Sequence, residues 1–252
     1  ICMLALAATF VGRCFVGTPA PILESQPANE TRCVSIFMQV DASSIEALEH
    51  TLPRLLHRAR AATCLYVAVD ELATTGTRVR ALASSRLAGF TVFEAQLPAA
   101  LPAADHVHAL MALAPLGGVQ ELIVLAPEAL VFWDVARMWQ HPACAAVRGE
   151  ESDAVAASVA GGDTSVLCAS LKKARCVAKP ARADETLPGH FNCHGLANET
   201  LTRRCAQDDG DELRHLTARC VVMSWHGGVA RPWQGDYGEC SFHRHYWPRG
   251  EA

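Results

Sequence analysis

Four short apolar runs alternate with helical patterns through the first half of this chain, and that alternation limits its fold more than any other feature. The runs cover residues 33–40, 64–69, 90–94 and 121–125, and they are rich in β-branched and aromatic side chains. Runs of this length read as buried strands. After the first, Ile45, Leu48, Leu52, Leu55 and Leu56 recur at helical spacing, with Ser43 or Ser44 placed to cap the helix. Residues 77–87 and 105–116 also read as helices, the second stopped by Gly117 and Gly118. Strand, helix, strand, helix at this spacing implies an α/β fold with a mostly parallel sheet and helices on both faces. In such sheets ligands sit at the carboxyl ends of the strands. Asp41, Asp70 and the loop from Ala126 to Ala129 all lie at such ends. Two further short strands are expected at 144–147 and 165–168, and residues 176–220 read as polar and irregular.

Half of the 252 residues are apolar, enough for a well-buried core, and the net charge is only −4. No basic stripe of the kind that tracks a phosphate backbone is present, which argues against nucleic acid as a partner. Eleven cysteines are scattered without a C-x-x-C pair, so a zinc ribbon or thioredoxin-like site is not expected. Together with two glycosylation acceptors, at Asn29 and Asn198, they favour an oxidising compartment. The secretory lumen is the first expectation and the mitochondrial intermembrane space the alternative. Residues 1–17 are apolar apart from Arg13 and form either a membrane anchor, a signal segment or a helix packed on a partner. Residues 18–32, with three prolines, read as a linker, and residues 33–252 as the folded domain.

Two segments nearly a hundred residues apart carry the functional argument. One is Glu121-Leu-Ile-Val-Leu-Ala-Pro-Glu-Ala-Leu-Val-Phe-Trp-Asp-Val-Ala-Arg-Met-Trp139, and the other is Met223-Ser-Trp-His-Gly-Gly-Val-Ala-Arg-Pro-Trp233. Together they resemble the two metal-site segments of glycosyltransferase family 8, the glycogenin and galactinol synthase type, which has the GT-A fold. Met111-Ala-Leu-Ala-Pro115, Gly162-Asp-Thr-Ser-Val-Leu167 and Leu187-Pro-Gly-His-Phe-Asn192 resemble further family segments in the same order. The resemblance covers most of residues 33–235, with an abbreviated acceptor side.

The resemblance implies a nucleotide-sugar transferase in which a divalent cation neutralises the leaving diphosphate. Hard cations take oxygen ligands, so the family supplies two Asp of a D-x-D motif, plus one His. In this sequence Ala126 and Glu128 stand at the two Asp positions, and Ser224 stands at the His position. The frame persists while its ligands are lost. The expectation is a degenerate, non-catalytic glycosyltransferase-like domain acting as a structural or accessory subunit with other protein subunits, possibly membrane-associated. No cofactor is expected on that reading. The alternative is an active luminal transferase with an altered or absent metal site, using a nucleotide sugar and, if any ion, Mn2+ or Mg2+. There Asp41, Glu128, His226 and Arg231 would contact the nucleotide or diphosphate, Arg231 because its planar fork suits phosphate oxygens. His226 lies two residues past the lost His, an offset that on a strand would keep the same face. Each has a plainer role: Asp41 and Asp70 as helix caps, Glu128 as a solvated carboxylate, Arg231 in an ion pair. Asp134 is expected to cap the helix running to Trp139.

Overall fold

The computed structural model describes residues 33–98, 101–150, 152–159, 163–176, 184–194 and 220–224. The apolar segment 1–17, the linker 18–32, Asn29, Asn198, His226 and Arg231 lie outside the described residues.

A seven-stranded sheet forms the centre. Its strands are β1 (Val34–Val40), β2 (Thr63–Val69), β3 (Leu87–Glu94), β4 (Glu121–Leu125), β6 (Ala156–Val159), β7 (Asp163–Ser170) and β8 (Asp184–Leu187), in the order β3-β2-β1-β4-β7-β6-β8. The first four are mutually parallel, β7 runs against both β4 and β6, and β6 pairs parallel with β8. A second sheet, in the order β5-β10-β9, joins β5 (Leu130–Val131), β9 (Cys193–His194) and β10 (Val222–Ser224). Because β5 follows the end of β4 by a loop of a few residues, this small sheet lies beside the carboxyl end of β4.

Helices cover the main sheet. They are α1 (Ile45–Arg58), α2 (Thr75–Ala81), α3 (Ala103–Met111), α4 (Pro142–Arg148) and α5 (Leu171–Ala174). One face of the sheet packs Ile36, Met38 and Val67 against Leu48, Leu52 and Leu55 of α1 and Val147 of α4. The other packs Phe37, Leu122 and Leu167 against Val107 and Leu110 of α3. The mostly parallel sheet with helices on both faces is thus present, as the alternation of runs implied.

Three local expectations are corrected. Residues 144–147 form part of α4 and not a strand. His141 accepts from the amide of Ala143 through Nδ1, and Pro142 occupies the first turn, so the helix is initiated before the apolar run begins. A four-residue apolar run does not distinguish strand from helix by itself. The helix expected at 77–87 ends at Ala81, and Leu87 already belongs to β3. The segment at 105–116 is broken between Met111 and Ala114, because Pro115 has no N–H to donate to the carbonyl of Met111 and its ring would clash with it in a continued helix. Within the stretch expected to be irregular, β8 and β9 add edge strands.

Disulfides join Cys33 to Cys64, Cys144 to Cys168 and Cys193 to Cys220, and Cys176 is also disulfide-bonded. Such bridges persist in oxidising, secretory-type compartments. Gly89 meets the first of them: a Cβ there would lie 3.2 Å from Cys64 Sγ. Among the described residues no helix is long and apolar enough to cross a membrane.

Candidate functional site

The carboxyl edge of the parallel strands is built from three turns. At the end of β1, Asp41 Oδ1 accepts from the amides of Ser43 (3.0 Å) and Ser44 (2.8 Å) and from both hydroxyls. Ser44 occupies the N-cap position of α1, but its hydroxyl makes no cap bond to the helix. It donates to Asp41 Oδ1 at 2.7 Å and lies 2.9 Å from the Asp41 amide, which donates to it. The side-chain cap expected of Ser43 or Ser44 is not made; the Asp41 carboxylate instead fixes the turn of Ser43 and Ser44 that leads into the helix. Burial pushes the Asp41 carboxyl up, but the hydrogen bonds from Ser44 and Ser43 outweigh it and hold it below its ordinary value. At the end of β2, Asp70 accepts from the Thr75 hydroxyl and from the amides of Ala42 and Glu71, and its carboxyl is likewise held low. Asp70 thus ties the β1 turn to the β2 turn. Asp134 Oδ1 accepts from the Ala136 amide at 3.1 Å, capping the 3-10 helix Val135–Gln140 as expected.

The third turn is the loop at Ala126 to Ala129. It is held at Ala126, Pro127 and Ala129. The Ala126 amide donates to Ser165 O on β7 at 2.7 Å, and the Ala129 amide closes the turn onto Ala126 O at 3.0 Å. From α1, Thr51 Oγ1 donates to Pro127 O at 2.6 Å, a buried bond between residues 76 apart in sequence. Glu128 is half-buried and makes no hydrogen bond or ion pair among the described residues.

Ser224 ends β10, one residue past the pair Met223–Leu130 that joins β10 to β5. It is fully buried, and its hydroxyl donates to Asn192 Oδ1 at 2.6 Å. Asn192 Nδ2 in turn donates to Ser165 Oγ at 2.8 Å. A chain of hydrogen bonds therefore runs from Ser224 through Asn192 to Ser165, and from the Ser165 carbonyl to the Ala126 amide. This chain ties Ser224 to the start of the Ala126–Ala129 loop.

A divalent cation does not fit the donors these residues provide. Ala126 supplies no side-chain oxygen, and Ser224 supplies a neutral, fully buried hydroxyl held by Asn192 in place of an imidazole. Glu128 is then the only carboxylate among the three positions, where a hard cation takes 6 or more oxygens in all. No group of three His, Cys, Asp or Glu capable of holding a metal occurs among the described residues.

Thr51, Ser165 and Asn192 were not singled out as site residues by sequence reasoning. Asn192 carried a signal, as the last residue of the Leu187–Asn192 segment. Thr51 carried none, because its partner is a backbone carbonyl. His106 is buried on α3, and burial pushes its imidazole below the ordinary value. Its Nε2, like that of His108, has no hydrogen-bond partner among the described residues.

This mixed seven-stranded sheet, with a three-stranded sheet set against the end of β4, defines a glycosyltransferase-like α/β class. Solved glycosyltransferases of the GT-A fold superpose on it. The galactosyltransferase LgtC, solved with donor and acceptor sugar analogues, matches with a TM-score of 0.53 at 12% identity, over 85% of this chain and 92% of its own. The bifunctional glycosyltransferase WbbM in its apo form gives 0.50 at 9% identity, over 94% of this chain and 54% of its own. The apo glycosyltransferase GlyE of Streptococcus pneumoniae TIGR4 gives 0.50 at 10% identity, over 85% of this chain and 59% of its own. Likeness at these identities is a likeness of fold. No protein-family model matches the sequence, and no curated protein sequence matches it either.

Proposed function

We propose that this chain is a glycosyltransferase-type domain on the family 8 pattern that has lost its divalent-cation site. It serves as a non-catalytic accessory subunit in the secretory lumen, with protein partners. The observation that carries this reading is the Ser224–Asn192 bond. Where the family pattern needs an imidazole turned toward a cation, this protein has a fully buried hydroxyl committed to a neutral side chain. Ala126 supports it by removing a carboxylate from a loop whose backbone is still held at three points. Retaining the scaffold while losing the ligands is the pattern expected where packing is still required and transfer chemistry is not.

The test is calorimetric titration of the protein with uridine and guanosine diphosphates, with and without Mn2+. The expected result is no manganese-dependent binding. Manganese-dependent binding abolished by Glu128→Ala would overturn the proposal and favour an active transferase in which Glu128, Asp41, His226 and Arg231 serve the donor.

A further inference from the structure

Charge is segregated along the first three strand–helix units. No carboxylate occurs between His50 and Val69 or between Leu72 and Phe93, whereas these two stretches hold Arg54, Arg58, Arg60, Arg78, Arg80 and Arg86. The acidic residues of the same region are Asp41, Glu46, Asp70, Glu71 and Glu94, at the carboxyl ends of β1, β2 and β3 or in the first turn of α1, and Glu49 in the second turn of α1. Because α1 and α2 return antiparallel to the strands, their last turns and the residues just before β3 lie at the opposite, amino edge. The amino edge is therefore cationic in a chain of net charge −4. Arg78 is paired with Glu49 at 2.6 Å. Arg58, Arg60, Arg80 and Arg86 are exposed and make no ion pair among the described residues.

This edge also contains a cavity of about 220 Å3, lined by Leu52, Pro53 and Leu56 of α1 and by Leu82, Ser84 and Arg86. Its walls are apolar except at the Ser84–Arg86 rim. The volume falls below the roughly 300–1,000 Å3 of small-molecule sites, so it suits one apolar side chain of a larger partner. An indentation that takes a single anchor, beside unpaired arginines, matches peptide recognition better than a flat lipid surface.

We infer that this groove docks an acidic segment of a partner protein, with an apolar side chain seated between Leu52, Leu56 and Leu82 and carboxylates on Arg58, Arg60 and Arg86. The inference uses none of Ala126, Glu128 and Ser224, so it stands whether or not the domain has transfer activity. Arginine suits the role because its planar fork takes a carboxylate in two parallel hydrogen bonds.

The test uses the full chain and fluorescence anisotropy with a labelled dodecapeptide of alternating Glu-Glu and Leu-Leu pairs. A Lys-for-Glu version and phosphatidylserine vesicles are run in parallel. The expected result is saturable binding of the acidic peptide alone, weakened about tenfold by Arg58→Glu/Arg60→Glu/Arg86→Glu, since several rim charges together give that order of effect. Ser84→Trp, which fills the groove without changing charge, is expected to weaken it too, with circular dichroism showing both variants folded. Equal binding of acidic and basic peptides, or no loss in either variant, overturns the proposal. Vesicle binding without peptide binding assigns the edge to a membrane and overturns it as well. So does self-association of the chain abolished by the arginine variant, which would assign the groove to a second copy.

Discussion

Thr51→Val isolates the bond that holds the Ala126–Ala129 loop against α1. The exchange keeps the shape of the side chain and removes one hydroxyl. That hydroxyl is 1% exposed and donates to Pro127 O at 2.6 Å. A net hydrogen bond contributes about 1 kcal/mol, and a buried carbonyl left without a donor costs about 1–3 kcal/mol. Together these place the loss near 2 kcal/mol. In a chain of this size each kcal/mol moves the melting temperature by about 2–4 °C, so the expected fall is about 4–8 °C. Thr51→Ser keeps the donor and should recover most of it. Hydrogen exchange supplies a local readout, because the amides of Ala126 and Ala129 should open more often in the valine variant only. A valine variant that melts within about 1 °C of the parent, with unchanged exchange at both amides, would refute the claim that α1 fixes this loop.

Three further outcomes are expected. Asn192→Leu should cost about 2–4 kcal/mol, more than Ser224→Ala, because it strips partners from two hydroxyls and not one; chemical denaturation of the two variants gives the order directly. Replacing Cys144 and Cys168 by Ala should cost about 3–4 kcal/mol by loop-closure entropy for their separation of 24 residues, read as a lower urea midpoint than that of the parent under non-reducing conditions. Acid should destabilise the protein in two windows. Burial depresses the imidazole of His106, so below pH 6.5 the unfolded chain binds a proton that the folded one refuses, and stability falls by at most about 1.4 kcal/mol per pH unit. The carboxyls of Asp41 and Asp70 are also depressed, so the stability they give is complete above pH 3.8 and is lost as pH falls through their lower folded values. Urea midpoints against pH, repeated with His106→Leu, should lose the first window and keep the second.

The strands β1, β2 and β4 were legible because each is a buried apolar run ending where the chain turns, at Asp41, at Asp70 and at Ala126-Pro127. The ends of β1 and β2 could be located from Asp41 and Asp70 alone. The helix α4 was not legible, because Cys144, Ala145, Ala146 and Val147 suit either a strand or a helix, and the decision lies with His141 and Pro142 just before them. The positions of Ala126, Glu128 and Ser224 could be marked from a family pattern, but the partner of the Ser224 hydroxyl could not. Ser224 finds Asn192 across 32 residues and Asn192 finds Ser165 across 27. Those meetings depend on the pairing of β10 with β9 and of β7 with β4, which no local periodicity encodes. The acidic and basic edges, by contrast, are visible as gaps in the carboxylates once the direction of each helix is known.

The placement of the disulfides bears on how the chain is made. The three bridges enclose residues 33–64, 144–168 and 193–220, which follow one another without overlap. A chain synthesised from its amino end presents each pair in turn. Cys33 and Cys64 both precede β4 in the chain, and Cys144 and Cys168 both precede Cys193. Each of these linkages can therefore be sealed, by whichever oxidant the compartment supplies, without waiting for the small sheet or the end of the chain, and none of the three needs to be undone to let a later one form.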